Sequence, residues 1–495
     1  MNAAELLLGP DALLRHGVRS ALICGDETVS FAALADRVAR AAVAWSALGL
    51  RPGERVLFLT RDTPDFAVAW LGAVRAGAVA AALNNKLSDA DIGHVIDDSK
   101  PRLALVDDPF AERRFPGVER VLVSDFAKET KSARAGPAFA VTPEAPAFML
   151  YSSGTTGGPK GIVHSHGAFA SLGLAFRFLG IGAGERVFTT SKLFFAYGLE
   201  HGLLATLALG AAAVLYPDWP DGAAVIELVE RHRPAAMFSV PTIYRRLLAE
   251  PGARLAPFGA VRRFVAGGER LSKQLVDRWR KAVGGELLNL YGMSETFCAC
   301  MMTPPGSSDG LRTGVPLAGV QVELRDSNGK PPFPNEPGIL WVKHPAQATG
   351  YANLPAASEA QFRDGWFCSR DLFVRDDDGH YIHQGRSDEL LKIAGQWVQP
   401  AELEEVAARE PAVSEAACVP VVDADGLERL ALFVTARADP DAAQRAAAQA
   451  CERLLPRHKR PKWVRAVDEL PRTATGKIQR FRLREILERE LGARD

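Results

Sequence analysis

A chain of 495 residues is too long for one hydrophobic core, and one domain per ~150 residues gives about three structural units. Its 59 Lys and Arg balance 59 Asp and Glu, so no net charge draws it toward nucleic acid or an anionic membrane. The 47% hydrophobic content is ordinary for a soluble globular enzyme.

The first residues carry Glu5 and only a short LLL run, a poor secretory signal. The apolar stretch FAVAWLGAVRAGAVAAAL holds Arg75 in its middle, and GLLATLALGAAAVLY falls short of the ~20 residues that span a bilayer. Both read as buried elements. From 55 to 290, short apolar runs alternate with amphipathic ones. RVLFLT, RLALVD, AFMLYS, AAAVLY, AAMFSV, VRRFVA and ELLNL read as strands; PDFAVAWLGAVRAG, DGAAVIELVERHR and SKQLVDRWRKAVG read as helices between them. Such alternation predicts α/β layers on mostly parallel sheets. From about 311 to 385, VQVELRD, GILWVK and GHYIHQG sit between Pro, Gly and Asp turns, which predicts an antiparallel, barrel-like unit. After GRSDE the pattern changes to a compact α+β segment with helices near PAELEEVAARE, 440–455 and FRLREILEREL, and strands near VSEAACVPVV and RLALFVTA.

The six cysteines (Cys24, Cys298, Cys300, Cys368, Cys418, Cys451) form no CxxC pair. Scattered thiols of this kind suit a reducing, cytoplasmic compartment. The stretch Arg453 to Arg484 is basic and holds only two acids, Asp468 and Glu469. It reads as a solvated face or as a contact to a phosphorylated ligand.

One stretch cannot build a core and can surround an anion: YSSGTTGGPKG, 151–161. It follows a predicted strand and is read as preceding a helix. Glycines turn backbone N–H groups toward an anion, Ser153, Thr155 and Thr156 add hydroxyl donors, and Lys160 adds a mobile charge. It is not a Walker motif, because Pro159 precedes the lysine and Gly161 follows it. Two further stretches end predicted strands: VAGGERL, with Gly267, Gly268 and Glu269, and NLYGMSET, with Tyr291, Gly292, Ser294 and Glu295. On one parallel sheet all three would open on the same edge. They offer a flat aromatic, small residues, hydroxyls, a lysine and a carboxylate, which suits a nucleoside triphosphate with a divalent metal.

With YSSGTTGGPKG, YGMSE, SRDLF, GRSDELLKIAGQWVQPAELE and PRTATGKIQR in order over roughly 20–488, the chain resembles the adenylate-forming superfamily of acyl- and aryl-CoA synthetases. The resemblance implies a large N-terminal domain (1–387) of two α/β layered subdomains plus a distorted antiparallel barrel. It also implies a small, mobile α+β C-terminal domain (388–495). The implied reaction uses ATP, Mg²⁺ and coenzyme A: a carboxylate captures the α-phosphate of ATP, then a thiol displaces AMP. Thr155, Thr156 and Lys160 would hold the outer phosphates. Ser294 would meet the α-phosphate, where relatives usually have Thr, and Glu295 would hold Mg²⁺. Gly267, Gly268 and Tyr291 would frame the base, Asp371 would bind the ribose with Arg386 beside it, and Ser153, Gly154, Gly157, Glu269 and Gly292 would complete the ATP site. Lys477 would bridge acid and nucleotide in the first step. Asp388 would be the hinge, and Gly395 would line the CoA tunnel.

The pieces SKLFFAYGLEHGL, LFVRDDDGHYI and PRTATGKIQRFRLRE look most like benzoate-CoA ligases. Phe195, Ala196 and Tyr197 would then wall a pocket for a flat acid, with Phe194 pointing away. The chain departs from that subgroup at TFCACMMTPPG, at Glu200 and His201 where Gly and Asn are common, and at Arg370 in place of a glycine. His164 and His166 read as packing residues rather than a metal pair. A medium-chain or alicyclic acyl-CoA ligase and an enzyme loading a carrier protein stay open as alternatives.

Overall fold

The apolar runs become strands close to where the sequence places them, for reasons visible at each end. RVLFL is the strand Arg55–Leu59, and the next segment turns helical over Pro64–Arg75. There the Thr63 hydroxyl accepts from the Phe66 N–H, Pro64 supplies a preset φ, and Arg75 faces the negative C-terminal end. The helix Lys273–Val283 is capped by Ser272 and stopped by Gly284 in the left-handed region. The computed structural model describes residues 2–152, 159–393, 396–423, 426–472 and 478–492.

Among the described residues the strands form five sheets. In the nine-stranded sheet, Leu287–Gly292, Arg263–Gly267, Ala236–Ser239, Arg186–Thr189, Ala212–Leu215 and Ser20–Cys24 run parallel in that spatial order, with antiparallel strands at both edges. In the seven-stranded sheet, Pro146–Ser152, Val79–Ala82, Arg55–Leu59, Leu103–Val106 and Glu119–Leu122 run parallel. One continuous core joins the two sheets, with Phe58 and Phe148 from one and Val187 and Ala213 from the other. Full burial of an aromatic such as Phe58 or Phe148 contributes about 1.5–3 kcal/mol.

The third sheet is the expected antiparallel unit, built from Gln321–Arg325, Gly338–Lys343, Trp366–Arg375, Phe362–Arg363 and Tyr381–Arg386. Beyond it the chain builds its own core. Leu403, Val406, Leu432, Val434, Ala447 and Cys451 pack together from the helices Pro400–Ala408 and Pro440–Leu454 and the strand Glu428–Ala436. Among the described residues, several contacts tie this segment to the larger part. Arg270 and Glu405 pair at 3.0 Å. Gly385, at φ 117°, leaves room for Gln399, whose Nε2 a Cβ there would meet at 1.9 Å. Among the described residues no helix is long and apolar enough to cross a membrane.

Two expectations need correction. The segment after the phosphate-loop motif is not a helix. It is the strand Lys160–Ser165, paired antiparallel with Pro146–Ser152, so the loop closes a hairpin. The β-branched, alternately buried IVHS decides this. Nor do the three motif loops leave one sheet. The hairpin belongs to the seven-stranded sheet, whereas Gly267 and Tyr291 end strands of the nine-stranded one.

Candidate active site at the meeting of two sheets

Residues from both sheets converge just past the strand Leu287–Gly292. A tight turn follows, with the Thr296 and Phe297 N–H groups donating to the carbonyls of Met293 and Ser294, and Phe297 at φ 56°. His164, from a strand of the other sheet, and Ala348, just ahead of the strand Gly350–Tyr351, hold the turn in place. His164 Nε2 lies 2.8 Å from the Ser294 carbonyl oxygen, and the Ala348 N–H donates to the Glu295 carbonyl at 2.8 Å. The Glu295 carboxylate accepts from the Tyr351 hydroxyl at 2.9 Å. Lys160 lies over the same tyrosine ring, its Nζ 5.9 Å from the centroid. Lys160 and Glu295, 135 residues apart in number, therefore share one neighbour. Burial and the Glu295 charge push the Tyr351 phenol up, so it remains a donor. A half-buried carboxylate with a fixed oxygen is a suitable ligand for a hard divalent cation.

The second corner sits on the antiparallel sheet. Asp371 and Arg386 face each other across paired strands, with Arg386 Nη1 3.5 Å from Asp371 Oδ1. Tyr291 donates its hydroxyl to Asp371 Oδ2 at 2.5 Å. Its ring stands edge-on to Phe373 at 4.9 Å. Burial and the neighbouring carboxylate raise the Tyr291 phenol well above its ordinary value. Ser369 braces Asp371, accepting from its N–H at 3.0 Å while donating to the Leu340 carbonyl at 2.8 Å. Arg370 takes a left-handed φ of 61°, where the Cβ is disfavoured.

The aromatic segment forms the third side. Phe195, Ala196 and Tyr197 are half-buried at the start of the short helix Ala196–Leu199. Tyr197 directs its hydroxyl to the carbonyls of Ser239 and Val265, at 3.3 and 3.4 Å. Its ring packs against Gly267, where a Cβ would come within 3.0 Å of Cε2. Since Gly267 pairs with Leu290, the aromatic wall stands beside the strand that ends in Tyr291. Phe194 packs on Phe195 and on Trp219, with ring centroids 4.3 and 5.9 Å apart.

The sequence reading missed what anchors this wall. Lys192 and Asp62 form a buried pair at 2.9 Å. Lys192 also donates to the carbonyls of Tyr216, Pro217 and Asp218, while Asp62 accepts from the Leu193 N–H. The available signal was one lysine inside the apolar run SKLFF and one aspartate just past a buried strand.

The remaining expected residues are scattered in their placement. Gly268 turns at φ 78° after its strand, and Gly292 ends the strand that carries Tyr291. Glu269 is engaged by Thr242 at 2.8 Å and Arg245 at 3.3 Å. Asp388 is gripped by Arg386 through two 2.8 Å bonds, with Arg370 at 4.0 Å. Burial pushes the Asp388 carboxyl up, but the Arg386 and Arg370 guanidiniums more than offset this and its pKa ends low. His164 stacks on Phe148 at 4.8 Å, and His166 accepts from the Ala3 N–H at 3.0 Å, so the two histidines face different partners. In the basic stretch, Lys459, Lys462, Arg465, Arg472 and Arg480 each pair with a carboxylate. Ser153, Gly154, Thr155, Thr156, Gly157, Gly395 and Lys477 lie outside the described residues.

Comparison with known proteins gives the family. Residues 11–352 match the AMP-binding enzyme family, and residues 402–477 match the AMP-binding enzyme C-terminal domain. The chain is 39% identical to a 3-hydroxybenzoate–CoA ligase of Aromatoleum sp. (strain CIB), covering 98% of this chain and 97% of that protein. It superposes on a benzoate CoA ligase from Burkholderia xenovorans LB400 with a TM-score of 0.89 at 32% identity, over 98% of this chain and 100% of that one. It also superposes on the anthranilate CoA ligase AuaEII in complex with anthranoyl-AMP with a TM-score of 0.90 at 29% identity, over 99% and 98% of the two chains. By the extent of these matches, the chain belongs to the AMP-binding enzyme family.

Proposed function

We propose that this protein is an AMP-forming acid–CoA ligase whose acid is aromatic and benzoate-like. One observation supports this above the others: Tyr197 of the aromatic wall packs against Gly267, beside the strand that delivers Tyr291, Ser294 and Glu295. An acid held against that wall is therefore next to the groups suited to a nucleotide.

In the first step a carboxylate oxygen forms a bond to the α-phosphorus of ATP, and pyrophosphate leaves. In the second, the CoA sulfur attacks the acyl carbon, AMP leaves, and the thiol proton is lost. Both reactants of the first step are anions, so fixed donors must favour the transition state over the ground state. We assign Ser153, Gly154, Thr155, Thr156, Gly157 and Lys160 to the outer phosphates and Ser294 to the α-phosphate. Asp371 and Arg386 take the ribose side, and Gly267, Gly268, Glu269, Tyr291 and Gly292 surround the base. Lys477 spans acid and nucleotide. Glu295 would hold Mg²⁺, which when bound neutralises phosphate charge.

We place the domain boundary at 387/388, with Asp388 as hinge, and we assign Gly395 to the CoA tunnel. CoA, ATP and a small acid are the partners, and the balanced net charge gives no reason to add nucleic acid. Six free cysteines fit a reducing compartment, and we place the enzyme in the cytoplasm.

The test is AMP and pyrophosphate release over a panel of aryl, alicyclic and straight-chain acids with ATP, Mg²⁺ and CoA. Benzoate-type acids should give the highest kcat/KM. Higher values for hexanoate or octanoate would overturn the aryl assignment, and ADP with orthophosphate would overturn the adenylate chemistry.

A further inference from the structure

Four residues after Ala196, on the same helical face, the chain carries a glutamate that the reaction above does not use. Glu200 is 1% exposed and opens a five-residue π-helix, Glu200–Leu204, directly behind the aromatic wall. Such single-turn widenings re-aim side chains and cluster at functional sites. The Cys298 thiol and the Ala299 N–H, from the far side of the Ser294–Glu295 turn, lie against its carboxyl. His201 Nε2 is 3.4 Å from Oε2, while the His201 ring is 4.9 Å from Tyr197 and stacks on Phe238. Oε1 has no hydrogen-bond partner among the described residues.

Burial dominates both ionisable groups. It raises the carboxyl to about 8 and lowers the imidazole, so at neutral pH they stand as a neutral pair rather than an ion pair. A neutral carboxylic acid both donates and accepts. Leaving a buried polar atom unpaired is costly, and a pocket meant only for a bare ring would have no use for one.

We propose that Glu200 is a specificity-determining residue at the closed end of the acid pocket, reading a hydroxyl or amino substituent on the aromatic ring of the substrate. This rests on the aryl–CoA ligase reading and sharpens it: the preferred acid is a hydroxy- or aminobenzoate, and unsubstituted benzoate is the poorer substrate. A site built around a substrate hydrogen bond discriminates against an analogue lacking it more strongly than an apolar pocket discriminates by one methylene.

The experiment measures kcat/KM for benzoate and for the 2-, 3- and 4-hydroxy- and aminobenzoates, with the full-length enzyme and its Glu200→Gln and Glu200→Leu variants. The wild type should favour at least one substituted acid over benzoate by ~10-fold or more, as one such hydrogen bond is worth about 1.4 kcal/mol. Glu200→Gln keeps a donor and an acceptor and should retain much of that preference. Glu200→Leu should bring the ratio to about one, chiefly by raising KM for the substituted acid. Equal use of benzoate by the wild type, or an unchanged ratio in the leucine variant, would overturn the proposal. The wild-type and glutamine results decide the matter if the leucine variant does not fold: benzoate preferred by both would sink it. Absence of AMP release with every aryl acid would instead bring down the underlying ligase reading.

Discussion

Lys477 carries the sharpest expectation for a single side chain. If its ammonium offsets repulsion between two anions in the first step, it has no equivalent task once the adenylate exists. Lys477→Ala should slow adenylate formation by ~10²–10³-fold, measured as acid-dependent ATP–pyrophosphate exchange. Thioester formation from pre-made acyl-AMP should stay within a few-fold of wild type, and an equal loss in both half-reactions would remove the assignment. The Thr155–Thr156 loop reads as anion-binding from residue type and order, whereas the role expected of Lys477 comes from the resemblance its motif carries. Asp62 and Lys192 were legible in neither way, because a lone charge in an apolar run says nothing about its partner. Only the packed structure shows the pair, at 2.9 Å, with three carbonyls around the ammonium.

At the scale of elements, that pair pins the segment leading into the aromatic wall to the end of the strand Arg55–Leu59, which belongs to the other sheet. Removing one member leaves a buried, uncompensated charge, which costs about 3–5 kcal/mol. Lys192→Met should therefore lower the midpoint of chemical denaturation and raise KM for the acid more than KM for ATP. The double change Lys192→Met with Asp62→Leu should recover much of the stability. If the single variant denatures like wild type, the pair is not the anchor. The hairpin after residue 152 teaches a related lesson. Glycine and hydroxyl content points to anion binding, but whether a strand or a helix followed depended on IVHS finding a partner edge in Pro146–Ser152.

Two predictions concern the whole molecule. The segment beyond 388 has its own core and meets the larger part through Arg270–Glu405 and Gln399 against Gly385. If the segment must rotate between the half-reactions, a restricted φ at position 388 hinders the second step. Asp388→Pro should slow thioester formation more than adenylation in separate half-reaction assays, and equal slowing would count against the hinge.

The second prediction is acid sensitivity. Burial lowers His164, His166 and His344 to about 4, against an ordinary value near 6.5. Their folded pKa lies below the unfolded one, so the unfolded chain binds more protons between pH 4 and 6.5. Their stability contribution is complete above about pH 6.5 and falls as pH drops toward 4, by roughly 1.4 kcal/mol per unit for each histidine. Glu200, raised by burial, works in the opposite sense and offsets part of this slope. Denaturation midpoints at pH 7, 6 and 5 should decline, and His344→Gln should flatten the decline; a flat wild-type profile would contradict it.

By itself, the order of residues determined the layers and the strand-end motifs, because periodicity and residue chemistry act locally, and the kind of reaction followed from the family those motifs resemble. It could not decide which strand ends would meet. Lys160 and Glu295 come from different sheets and share Tyr351, while Glu200 meets Cys298 across the fold. Those meetings depend on how two sheets pack around one core, and packing is a property of the whole chain.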